Sequence, residues 1–165
     1  MVGLDLYYSI ENKLPRKYHW FTNWYIKFEK PKISNEELKL KFEKLNNTQL
    51  NEVALKLSNT KILNPTKVFW LYNFIFGALG VARFAIGHFK IGLFRLIFTI
   101  IAIVVSFFLN MNPYDPLIGL LYIFFYYGGH GLWIADLFMV GVSLRNQNIE
   151  KINNILDEIL AEDNV

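Results

Sequence analysis

Apolar positions divide the chain into a front third patterned for short amphipathic helices, a centre of nearly unbroken hydrophobic runs, and a tail that returns to helical alternation. In residues 17–30, Trp20, Trp24 and Phe28 stand four apart with Phe21 and Tyr25 beside them, the spacing of one helical stripe. Pro31 ends that stretch. Ser34 followed by Glu37 reads as a capping box, which satisfies two orphan backbone donors at a helix start, and Leu38, Phe42 and Leu45 form the inward face behind it. Asn46-Asn47 is a turn signal, and Thr48 is placed to cap a second helix carrying Leu50, Val53, Ala54 and Leu57. Two helices this short bury little. Residues 34–58 are therefore expected to form a hairpin that leans on the membrane surface, on the C-terminal tail or on a partner.

Asn64-Pro65 opens the next element as an N-cap followed by proline at the first helical position. The uncharged run Val68 to Ala82 amounts to roughly 22 Å of helix, short of the roughly 30 Å hydrocarbon core. It reads as a short tilted span or as a re-entrant element. Ile91 to Leu109 is long enough to span, with Arg95 near one end and expected to snorkel. After the turn 110–116, Leu117 to Val142 returns as a third apolar segment, where Gly128-Gly129-His130-Gly131 invites a kink or an unwound point. In the tail, Ile149, Ile152, Leu156, Ile159 and Leu160 fall on one face of an amphipathic helix that cannot stay exposed.

The pattern predicts an all-α integral membrane protein built of helical membrane hairpins, with a small helical N-terminal region and an amphipathic C-terminal helix. The expected regions are 1–63, basic and partly interfacial; 64–143, the membrane domain with apolar segments near 68–86, 91–109 and 117–142; and 144–165, the tail helix. Composition agrees with this: of 165 residues 53% are hydrophobic, 17% aromatic and only 19% charged. Charge adds direction. Residues 1–67 hold twelve Lys and Arg against seven Asp and Glu, net +5, whereas 68–165 hold five against seven, net −2.

Short loops rich in Lys and Arg stay in the cytoplasm. The 110–116 turn has neither and is expected outside, whereas the 83–95 connection, with Arg83, Lys90 and Arg95, and the tail, with Arg145 and Lys151, are expected inside. The start of the chain lacks the basic-then-apolar pattern of a cleaved signal peptide, so insertion is expected to rest on the internal segments, with the N-terminal region cytoplasmic too. Trp20, Trp24, Lys27, His88 and Lys90 are candidates for contact with anionic headgroups, the aromatics of 17–30 serving alternatively as a small local core.

The candidate chemistry is sparse. With no cysteine there is neither a disulfide framework nor thiolate chemistry. No phosphate-binding glycine loop, HExxH or GxSxG is present, no nucleophile stands beside a base, and no cofactor, metal or nucleic-acid partner is expected. Asp136, inside an apolar segment, is costly unless paired. By helical rise from the 110–116 turn it reaches the same face as Arg83, which predicts an Arg83–Asp136 ion pair with Trp133 packed alongside. The pair serves either as a clamp between helices or as part of a transport path. His130 is expected as a buried neutral ring bonded to a carbonyl freed at the glycines, or as a proton or cation relay.

The motif residues Gly77, Gly80, Arg83, Phe84 and Gly87, then Gly92-Leu93 with Arg95, then Trp133 and Asp136, form a GxxGxxRFxxG … WxxD pattern over roughly residues 64–143. This resembles the TM-two domain family of small integral membrane proteins, whose bacterial members often carry a helical N-terminal region ending in Asn-Pro. Ala82 stands where the family commonly has Asp or His, Ala85 where it has an aromatic, and the stretch 97–128 is an enlargement. The resemblance implies a bacterial inner-membrane location. Taken together, a non-enzymatic assembly or accessory subunit is expected, docking a protein partner or a second copy through its cytoplasmic regions. The alternatives are an oligomeric conduit for a small solute or ion using Asp136 and His130, and a membrane-perturbing or stress-response effector.

Overall fold

The computed structural model describes residues 3–15 and 31–162. Among them every regular element is helical, in two compact units: residues 1–65 with 142–165, and residues 66–141.

The first unit is assembled from both ends of the sequence. Helix α1 (Gly3–Ile10) precedes α2 (Asn35–Lys44) and α3 (Asn47–Asn59), and the end of the long helix α6 (Pro116–Glu162) completes it. The α2 start is the expected capping box, the Ser34 hydroxyl accepting from the Glu37 backbone and the Glu37 carboxylate accepting from the Ser34 backbone. The α3 start is moved two residues from the expected Thr48. Asn46 is the cap, and its amide exchanges hydrogen bonds with Gln49 in a second capping box. Asn outranks Thr as a cap, and a glutamine three residues on lets it satisfy two donors at once. Ser34→Ala and Asn46→Ala should each cost about 1 kcal/mol, read as a lower unfolding midpoint of the full chain in detergent.

Leu38, Phe42 and Leu45 of the hairpin, with Leu50 and Val53, are buried against Ile149, Ile152, Leu156 and Ile159 of α6. Of the three supports expected for the hairpin, this core contains the tail. The regions 1–63 and 144–165 thus share one core. Leu6, Tyr7 and Ile10 of α1, an element whose pattern was not read from the sequence, complete it. Polar residues of the α6 end hold the loops in place. Asn148, fully buried, donates to the carbonyls of Lys13 and Leu63, and Arg145 donates to those of Asn12 and Leu14. Lys41 pairs with Asp157. Lys56 lies 3.1 Å from Glu52 and 3.2 Å from Glu158, and the hydrogen bonds its ammonium donates to these two carboxylates raise its pKa above the ordinary value.

The second unit begins irregularly. A single α-turn, Pro65–Lys67, runs into a π-helical segment, Val68–Ile75, then a 3-10 turn, Gly77–Leu79, and the five-residue helix α4 (Val81–Ala85). The region 68–86, expected as one apolar segment, is thus divided into π, 3-10 and short α pieces. After it come α5 (Phe89–Met111) and the first half of α6. Residues 128–131 remain helical within α6, so the expected unwinding at the glycines does not occur, and the tail helix is continuous with the third apolar segment.

Helices α5 and α6 are the two that are long and apolar enough to cross a membrane among the described residues. A soluble protein's core helix can match that composition, but it would be mostly buried. Here only 11% and 0% of the most apolar stretches are. Ile103, Phe107 and Phe124 are each more than half exposed, an apolar surface that a water-soluble monomer does not leave uncovered.

Candidate functional site: a buried two-arginine, one-aspartate cluster

Side chains from α5 and α6 donate hydrogen bonds to backbone carbonyls of the irregular start of the second unit. Trp133 donates its indole N–H to the Asn73 carbonyl at 3.0 Å, Thr99 its hydroxyl to the Ala78 carbonyl at 2.6 Å, and Arg95 its Nη2 to the Gly77 carbonyl at 3.3 Å. Those bonds tie the π segment to α6 and the 3-10 turn to α5.

Asp136 lies at the centre. Its Oδ1 accepts from Arg83 Nη2 at 2.6 Å and Nε at 3.1 Å, and its Oδ2 lies 3.2 Å from Arg95 Nε. The second contact is ionic only: the Nε–H of Arg95 is not aligned on an acceptor, and Arg95 is held instead through Gly77 and, at 3.4 Å, the Gly129 carbonyl. The Asp136 carbonyl in turn accepts from Asn73 Nδ2 at 2.6 Å. Arg83, Arg95 and Asp136 are 2%, 4% and 6% exposed, so two guanidinium groups share one carboxylate out of solvent. Arg83 Nη1 also meets His88 Nδ1 at 3.2 Å. A guanidinium has no lone pair, so Nδ1 is the acceptor and the ring is neutral.

The structure therefore brings Arg83 and Asp136 together, with Trp133 nearby, and adds two residues that sequence reasoning had not placed there. Arg95, expected to snorkel outward, turns inward, where a carboxylate and two backbone carbonyls lie within its reach. Asn73 was passed over as one polar residue in an aromatic run, although a lone asparagine in VFWLYNFI is the kind of polar intrusion that marks a needed hydrogen bond. His88, expected at headgroups, instead faces Arg83, while Lys90 is exposed.

The motif glycines admit close neighbours. A Cβ on Gly77 would lie 2.5 Å from the Trp133 ring, and Gly80 has φ +73°. The Phe84 ring covers Gly92, and Gly87, φ +83°, lies just past the end of α4. His130 is on the exposed side of α6 and bonds the Tyr126 carbonyl one turn back, so it is neither buried nor attached to a carbonyl freed by a kink. Trp20, Trp24 and Lys27 lie outside the described residues. Among the described residues no three His, Asp or Glu side chains come together as metal ligands would.

Chemically, this arrangement is a closed electrostatic lock. Each carboxylate oxygen of Asp136 lies within ion-pair distance of an arginine. Comparison with protein-family models, curated proteins and solved structures gives no match.

Proposed function

We propose that the chain is an integral membrane protein of TM-two type, acting without catalysis as an assembly or accessory subunit of a bacterial inner-membrane complex. The observation that carries this is the pairing of two exposed, apolar helices of spanning length with a water-compatible helical unit built from both ends of the chain. Two crossings between those ends return the chain to the side it left. A first segment broken into π, 3-10 and short α pieces supports the re-entrant alternative over a third crossing. The basic front, and the tail with Arg145 and Lys151, then lie in the cytoplasm, and the 110–116 turn outside.

The cytoplasmic unit offers the face that docks a partner or a second copy, and the basic N-terminal region meets anionic headgroups. Purification in mild detergent followed by mass measurement tests the subunit reading: a stoichiometric partner or a defined oligomer is expected, and a lone monomer would overturn it. A conduit through Asp136 and His130 is less favoured, because the first is locked between arginines and the second lies on the exposed side of α6.

Topology has its own test, made clean by the absence of native cysteine. Tyr114→Cys, at a site 95% exposed in the turn, should react with an impermeant maleimide added to intact cells. Ser58→Cys, at the exposed end of α3, should react only after the cells are opened. Labelling in the reverse order would invert the orientation.

A further inference from the structure

A groove of about 460 Å³ lies in the second unit, walled by Phe74, Ala78, Phe125, Tyr126, His130 and Trp133, a size and an aromatic character suited to a small ligand. His130 stands midway along the apolar run 117–142, about 18 to 20 Å of helical rise from either end. Its Nδ1 lies 2.7 Å from the Tyr126 carbonyl. A carbonyl can only accept, so Nδ1 carries the proton, and in the neutral form of the ring Nε2 is a lone-pair acceptor. No hydrogen-bond partner among the described residues reaches Nε2. An acceptor at mid-depth in hydrocarbon, where no water can satisfy it, is retained only if something else does.

We propose that this groove binds a lipophilic phenol, an aryl hydroxyl on a hydrocarbon tail such as a reduced membrane quinone, which donates its O–H to His130 Nε2. The inference rests on the membrane reading above, not on the subunit reading. Glycerolipid headgroups lie some 15 Å from the bilayer midplane, beyond the groove's acceptor. A hydroxyl that reaches His130 therefore belongs to an uncharged molecule that dissolves in the hydrocarbon itself. The aromatic walls select a planar ring, through offset and edge contacts of the kind Tyr126 already makes with His130 at 4.5 Å between centroids. The oxidised quinone has only acceptor oxygens to offer an acceptor nitrogen, so the groove distinguishes the two redox states by hydrogen bonding alone.

The test uses the full chain in phosphatidylcholine nanodiscs at pH 8, with equilibrium binding of labelled decylhydroquinone measured against empty discs. Saturable binding is expected, at least tenfold tighter than that of decylbenzoquinone or of the dimethyl ether of the hydroquinone. His130→Phe keeps the aromatic wall and should bring the three compounds to parity. Ala102→Trp, which fills the groove from α5, should abolish binding of all three. Uptake no greater than into empty discs, or equal affinity for the hydroquinone and its ether in the unmodified chain, overturns the proposal whether or not the variants fold. Failure of the chain to enter nanodiscs overturns the membrane reading and this site with it. A dimer that seals the groove without bound hydroquinone overturns the site alone.

Discussion

Asp136→Ala is expected to be the most damaging single substitution in the second unit, costing about 3–5 kcal/mol and lowering both the unfolding midpoint in detergent and the yield of folded protein. The carboxylate is the only anion in a cluster that holds two guanidinium groups, at 2% and 4% exposure. Without it, Arg83 and Arg95 repel one another in a medium that screens poorly, and neither has solvent to turn to.

The same geometry predicts an order. Arg83→Met or Arg95→Met leaves one arginine facing Asp136, a neutral pair in place of a cluster carrying net positive charge, so each should be milder than Asp136→Ala. Arg83→Met should be the worse of the two, because it removes two aligned hydrogen bonds to Oδ1, whereas the Arg95 contact with Oδ2 is not an aligned hydrogen bond. The triple variant Arg83→Met, Arg95→Met, Asp136→Leu removes every buried charge together and should recover much of the loss, since a well-packed apolar replacement of a buried ion cluster is often tolerated. Thermal midpoints of the four variants in one detergent decide the matter. An Asp136→Ala midpoint equal to or above both arginine variants would mean that the cluster is not what holds α4, α5 and α6 in register.

Periodicity made the hairpin, its inward faces and the apolar face of the tail legible, because burial in a helix repeats with the helical turn whatever the partner is. It left the partner open among three choices, since an apolar stripe records only that something covers it. The charges were legible one by one. Asp136 and Arg83 could be matched because helical rise from the 110–116 turn carries Asp136 to the face where the positive charges of 83–95 place Arg83. Arg95 could not, because a long side chain near a helix end can run outward or inward, and the deciding partners were carbonyls of a segment whose irregularity no sequence period announces. The π and 3-10 backbone of 68–79 is met by Trp133, Thr99 and Arg95 at three separate carbonyls, contacts that arise only once α5 and α6 are in place. The glycines of 128–131 misled for a related reason: glycine permits an unwound point but does not require one, and here Gly128 and Gly129 leave room for the Phe98 ring while the helix continues.

Gly80→Ala should be the second largest effect, about 2–5 kcal/mol, and it separates two roles of glycine that the motif alone runs together. Gly80 has φ +73°, where an alanine is strained by about 1–2 kcal/mol. Its Cβ would also lie 2.7 Å from the Gly92 carbonyl oxygen and 2.9 Å from the Arg95 Cβ. The first of those neighbours is backbone, so α5 itself must move, at an overpacking cost of about 1–3 kcal/mol. That movement would carry Arg95 away from Asp136. Gly87, with φ +83° and nothing within 4 Å of where a Cβ would stand, shares the strain without the collision, so Gly87→Ala should lose only the strain of about 1–2 kcal/mol. Gly119, helical and with nothing within 4 Å of where a Cβ would stand, should gain up to about 1 kcal/mol on conversion to alanine. Unfolding midpoints in the order Gly119→Ala, unmodified chain, Gly87→Ala, Gly80→Ala are the expected result. Equal losses at Gly80 and Gly87 would show that backbone strain is the whole cost, and that α5 does not approach the turn closely enough for the glycine to be holding Arg95 over Asp136.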